Sequence, residues 1–175
     1  MAYPVFASGD VLNASDMNAV GLWLVKSQTV GSGVSSVTVT GAFSSTYDNY
    51  KIILAGGVMD ATRDISLQLG STVTGYYGCL NYGVYNANTP LSIGWNNQTK
   101  HVYAGSGDST YAAVDMDVLS PNLARPTLMN GAFQGTLSMG YCIGKETSTT
   151  QHTAFTFTFS GTMTGGTISV YGYRK

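Results

Sequence analysis

Residues 154–162 read AFTFTFSGT, and residues 165–175 read GGTISVYGYRK. In the first stretch Phe155, Phe157 and Phe159 alternate with Thr. In the second, Ile168, Val170 and Gly172 fall on one side. Successive side chains of a strand point to opposite faces, so a period of two sets an apolar row against a core and a hydroxyl row on the other face. The pattern predicts two strands separated by a glycine turn.

The same period runs back through the chain. DISLQLG places Ile65, Leu67 and Leu69 inward, and YAAVDMDVL places Val114, Met116 and Val118 inward with Asp115 and Asp117 outward. VSSVTVTGAF sets Val37 and Val39 against Thr38 and Thr40, while YKIILAG is apolar almost throughout, as in a strand covered on both faces. WLVKSQTV and TLSMGYCIG add two more strands. Residues 70–109 are too long for a hairpin loop and are expected to hold short strands with an elaborated surface. About nine or ten strands with Gly- and Asn-rich turns predict an all-β fold, an antiparallel β-sandwich of jelly-roll-like type.

One segment breaks the pattern. In FASGDVLNASDMNAVGLWLV, Asn13 can cap a helix and Asp16 stands three residues on, like a capping box with a shorter acid. Met17, Val20 and Trp23 follow at helical spacing, and Gly21 suits a helix end after about two turns. So short a helix is not stable alone in water and needs a surface to pack on. The division expected is 1–22 as an N-terminal attachment arm with a short helix, and 23–175 as the β-domain.

The 175 residues suit one domain, and 43% hydrophobic residues can fill its core. Only 10% are charged, against about 25% for an ordinary soluble domain. The net charge is −1 and no basic run occurs, which argues against nucleic acid as a partner. Few charges suit a subunit whose flanks are covered by neighbours. MAYPVFASGD has neither the basic nor the apolar region of a secretory leader, so synthesis in a cytoplasm is expected. No apolar run reaches the roughly 18 residues of a membrane span, so membrane insertion is not expected.

Catalytic patterns are sparse. His101 and His152 share no metal-ligand spacing and read as surface loop residues. GYCIGKET is short of phosphate-loop spacing by one residue and reads as a strand running into a turn. Glu146 is the only glutamate. Asp115 and Asp117 share a face, which reads as a solvated strand face and leaves open whether they hold an ion. Cys79 and Cys142 allow a single disulfide that nothing requires; two small buried thiols is the plainer reading. No enzyme activity, cofactor or metal is expected.

The aromatic segment TGYYGCLNYGVYNANTPLSIGWNN offers a candidate ligand-binding surface: Tyr76, Tyr77, Tyr82, Tyr85 and Trp95 among Gly and Asn. Tyr gives recognition loops contact area at small entropic cost, and Tyr or Trp can stack on sugar rings. The same tyrosines can equally fill a core or a subunit interface.

FASGDVLNASDMNAV resembles the N-terminal motif of tailed-bacteriophage virion proteins of the minor tail or tail-fibre type, through Phe6, Gly9, Asp10, Val11, Leu12, Ala14, Asp16 and Asn18. YDNYKIILAGG, LQLGSTVTGYYG and GGTISVYGYRK are also similar to segments of such proteins, notably from phages of actinobacteria. The resemblance implies a virion structural protein, made in the host bacterial cytoplasm and forming a homotrimer. Its attachment and oligomerisation residues would be Phe6, Val11, Leu12, Met17, Val20 and Trp23. Its partners would be itself, other virion proteins and a host-surface glycan or protein. The alternative within the same class is a capsid decoration or cement protein.

Overall fold

The computed structural model describes residues 21–173. Within them all regular structure is strand: β1 (Leu22–Thr29), β2 (Val34–Val39), β3 (Asn49–Met59), β4 (Arg63–Leu69), β5 (Tyr76–Val84), β6 (Thr89–Gln98), β7 (His101–Gly107), β8 (Ala112–Leu119), β9 (Thr127–Gln134), β10 (Ser138–Glu146) and β11 (Phe155–Tyr173). Every ladder is antiparallel, as the alternation predicts. Residues 1–20 of the expected N-terminal arm and helix lie outside the described residues, and Leu22 and Trp23 already belong to β1.

The two stretches quoted first form one strand of 19 residues, β11, where a turn between two strands was expected. Its first half, Phe155–Phe159, pairs with β4 on one side, and with β2 on the other through Thr158. Its second half pairs with β3 and β1. From β3 the ladder passes to β8, then β7, then β4, and so back to β11. Five strands thus close a barrel. The whole is one connected sheet of 11 strands, in place of the two separate sheets of the expected jelly-roll-like sandwich. The physical reason is that a bent β11 serves both walls.

The bend is set by glycine. Gly56 (φ +80°) and Gly166 (φ +93°) face each other where the β3–β11 ladder skips a pair. A left-handed backbone is inexpensive only for glycine. On the other edge of β11, Val30 N–H donates to Gly166 C=O (3.0 Å) and Gly165 N–H to Gly31 C=O (3.0 Å), where β1 gives way to β2. Three adjacent strands therefore turn at one level.

The apolar rows read from the sequence all meet inside: Phe155, Phe157 and Phe159 of β11, Ile65, Leu67 and Leu69 of β4, and Val114, Met116 and Val118 of β8. Ile168 and Val170 join them from the second half of β11. Beyond β8 the sheet continues through β9, β10, β5 and β6. Residues 70–109 hold long strands, not short ones, because β5 and β6 form an extended hairpin. Strand β9 was not anticipated.

Gly166→Ala is expected to destabilise the fold by more than about 2 kcal/mol, since a Cβ there meets Gly57 N at 2.9 Å as well as straining φ. Gly33→Ala, also at positive φ (+62°) but with nothing within 4 Å, is expected to cost about 1 kcal/mol. Urea unfolding of both variants decides the matter; equal losses would mean that the bend does not depend on Gly166.

Candidate functional site: an aromatic knot beneath an apolar sheet face

The extension beyond the barrel has two unlike faces. On β10, Cys142, Gly144 and Glu146 point inward, while Met139, Tyr141, Ile143 and Lys145 point outward. The inward row packs with Leu80, Trp95 and Phe133 into a second core, which covers Val102 and Tyr103 of β7. Trp95 meets His101 edge-on (5.3 Å between ring centroids) and lies 6.0 Å from Tyr103, which in turn meets Phe133 edge-on at 5.8 Å. Bare backbone makes room for these rings. Gly144 and Gly78 are cross-strand partners. A Cβ on Gly144 would lie 2.6 Å from His101 Nδ1, and one on Gly78 would lie 2.7 Å from Trp95 Cε2.

Within this knot Cys142 Sγ lies 3.3 Å from His101 Nε2. Distance alone resembles a nucleophile and its base. Electrostatics points the other way. Burial pushes the thiol up to about 12 and pushes the imidazole down to about 4. Both partners are neutral near pH 7, and their exposures of 2% and 0% leave no route for a substrate. The pair is a packing contact.

A second buried pair joins the end of β10 to the segment leading into β11. His152 Nε2 lies 3.2 Å from Glu146 Oε2. Ser148 donates to the same carboxylate from its backbone N–H (2.6 Å) and its hydroxyl (2.9 Å). His152 N–H donates to Pro121 C=O (2.8 Å) and Asn122 Nδ2 donates to His152 C=O (2.8 Å), so a third loop is tied in. Both histidines are buried, which corrects their reading as surface loop residues. Nothing in their local sequence marks this, because each is buried by strands remote in sequence. Among the described residues no cluster of three or more His, Cys, Asp or Glu is placed to hold a metal.

Asp115 and Asp117 do share a face, but Lys51 of β3 occupies the space between them. It forms an ion pair with Asp115 and lies 3.8 Å from Asp117. The Tyr173 hydroxyl donates to Asp117; burial, helped by this bond, holds that phenol up at about 12. Cys79 and Cys142 are both free, and the strand alternation of β5 and β10 turns them to opposite faces of the same ladder.

The five aromatic candidates do not form one surface. Tyr76 is fully buried; its hydroxyl accepts from Leu69 N–H (2.8 Å), and burial raises its phenol. Trp95 is 9% exposed and belongs to the knot, and Tyr82 packs beside it. Tyr77 lies on the outward face of β5 next to Lys145. Tyr85 stands at the β5–β6 turn, exposed, with its hydroxyl donating to Thr136 C=O (3.2 Å). Tyr76 and Trp95 are thus core residues, and stacking of a ligand on them is corrected: remote strands cover rings that a linear reading leaves open. Of the proposed attachment residues, Trp23 lies on β1 opposite Gly172 and is half-buried. Phe6, Val11, Leu12, Met17 and Val20 lie outside the described residues.

What the sequence reading missed is the outward face. Met139 (61% exposed), Tyr141 (50%) and Ile143 (44%) of β10 and Leu128 (48%) of β9 form an open apolar patch. Around Leu128, Ile143 and Tyr141 lies a shallow depression of about 570 Å³, floored by Met129, Gly144 and Gly78. The signal was present: in SMGYCIGK the large apolar residues Met139, Tyr141 and Ile143 share one row, while the other row is Ser, Gly, Cys and Gly. Comparison with protein-family models yields no match, and comparison with curated proteins yields no significant match.

His101 makes stability depend on pH. Its imidazole titrates near 6.5 when unfolded and near 4 when folded, so the unfolded chain binds the extra proton between those values. The contribution is complete above about pH 6.5 and is lost as pH falls towards 4, up to about 3 kcal/mol. Urea titrations from pH 7 to pH 4 should show a shallower loss for His101→Gln than for wild type. Parallel pH profiles would refute the assignment.

Proposed function

We propose that this chain is a non-enzymatic structural subunit of a tailed-bacteriophage virion, of the minor tail or tail-fibre kind. The observation that carries the reading is the open apolar sheet face on a protein with very few charges. A surface of this kind is disfavoured on a free monomer and suits a subunit covered by its neighbours. The N-terminal resemblance supplies the virion class. The neutral Cys142–His101 pair and the Lys51-filled gap between Asp115 and Asp117 favour a structural role over catalysis.

Host-surface recognition, if this subunit performs it, falls to the exposed β5–β6 turn around Tyr85 and not to Trp95 or Tyr76. The alternative, a capsid decoration protein, is favoured by one feature, the breadth of the outer sheet, which suits lying flat on a shell. The N-terminal segment is the proposed attachment arm in either case.

Antibody against the β-domain, imaged with gold on intact particles, is expected to mark the tail. Label spread over the head would replace the tail reading with decoration, and particles that never carry label would end both. Deleting residues 1–20 leaves β1 whole, so the truncated protein is expected to keep its β-sheet circular dichroism and lose incorporation. Normal incorporation of the truncated chain would sink the attachment arm.

A further inference from the structure

The outer sheet face has a chemistry that specifies its occupant. Strand registers place Leu119 of β8, Leu128 of β9, Lys145 of β10 and Tyr77 of β5 in one cross-strand row. A parallel row holds Asp115, Ala132, Tyr141 and Asn81. The same face continues over β3 with Lys51, and over β11 and β1 with Tyr171 and Leu24. The surface is therefore carried by a continuous antiparallel ladder, β1-β11-β3-β8-β9-β10-β5-β6, whose β11, β3 and β8 portion curves with the barrel and whose apolar centre lies on β9 and β10.

Two quantities narrow the choice. Eight strands spaced about 4.8 Å apart, each contributing about six residues of 3.3 Å rise, span roughly 750 Å². A stable interface covers about 800 Å² on each partner. Because β11, β3 and β8 curve with the barrel, only the part from beyond β8 to β6 is flat, and the charges decide its occupant. These charges complement themselves. Asp115 and Asp117 share the single cation Lys51, which leaves one carboxylate in excess. Lys145 is exposed on the same face and forms no ion pair among the described residues. In a two-fold contact residue i of one copy meets residue j of the other, and j meets i. One surplus acid and one unpaired lysine per chain can then neutralise each other twice across the axis, around the Leu128, Ile143 and Tyr141 centre.

We propose that this outer face packs against the same face of a second copy of the chain, as a two-fold dimer with Lys145 directed at the partner's Asp115–Asp117 pair. The contact takes the place of the three-fold arrangement implied by the N-terminal resemblance, and it does not depend on where in a virion the protein sits. Failure of either reading leaves the other standing.

The test uses the full chain, with mass measured by light scattering after gel filtration. Wild type is expected at twice the 18.4 kDa of one chain. Ile143→Lys is expected to yield monomer with unchanged circular dichroism, and Lys145→Glu to raise the dissociation constant about tenfold or more. Thr38→Lys, at an exposed position on β2, which is not a strand of this face, is expected to leave the dimer intact. If Ile143→Lys fails to fold, Tyr141→Glu provides the same reading. A wild type that stays monomeric at every concentration overturns the proposal. So does an oligomer that survives both face substitutions, or one that is lost on deleting residues 1–20 with the face untouched; the last result would assign the face or the assembly to that segment.

Discussion

Everything in this fold depends on one strand that is bonded on both sides and bent once. β11 supplies ladder partners to β4 and β2 before the bend and to β3 and β1 after it. Its backbone groups are satisfied only while all four neighbours are present, and each buried group left unpaired would cost roughly 1–3 kcal/mol. The Phe–Thr alternation fills the barrel from the odd-numbered residues before the bend, and Ile168, Val170 and Gly172 face inward from the even-numbered ones after it. The left-handed backbone at Gly56, Gly165 and Gly166 shifts the alternation by one residue at the corner, so the inward row changes parity there and both walls stay apolar inside.

The extension from β9 to β6 follows a different logic. Its inner face is sealed by a small aromatic core whose rings need the bare backbone of Gly78 and Gly144. Its outer face carries Leu128, Met139, Tyr141 and Ile143 in the open. A sheet sealed on one side and apolar on the other is half of a packed interface. The ionisable groups reinforce this picture, since the buried thiol and imidazole are held neutral and the exposed acids are engaged by Lys51 and Tyr173. The molecule concentrates its free energy in packing surfaces and keeps few groups ready for chemistry.

The strands of the barrel were legible because each buries one face only, so the alternation of DISLQLG, YAAVDMDVL and AFTFTFSGT survives in the residues themselves. The continuity of β11 was not legible. A Gly-Gly pair reads as a turn, and only pairing to β3 on one side and β1 on the other keeps it extended. The length of β5 and β6 was hidden by their Gly and Asn content, and β9 by the glycine inside TLMNGAFQ. Among candidate site residues, Tyr76 and Trp95 took the core reading over the ligand-binding one, because burial comes from strands far away in sequence. Local composition cannot tell a covered ring from an open one. The burial of His101 and His152 was hidden for the same reason. The outer face, by contrast, had left a mark in SMGYCIGK, where Met139, Tyr141 and Ile143 form one apolar row.

The most direct test of the central role of β11 is native-state hydrogen exchange of its backbone amides. Residues opened in one cooperative unit exchange with a common free energy, equal to that of global unfolding. The account predicts that Phe157 and Phe159 before the bend exchange with the same free energy as Ile168 and Val170 after it, and that all four match the value from urea unfolding. If the segment from Phe155 to Phe159 opened at clearly lower free energy while Ile168 and Val170 stayed protected, the two halves would be separate units, and the single-strand account of the fold would be wrong.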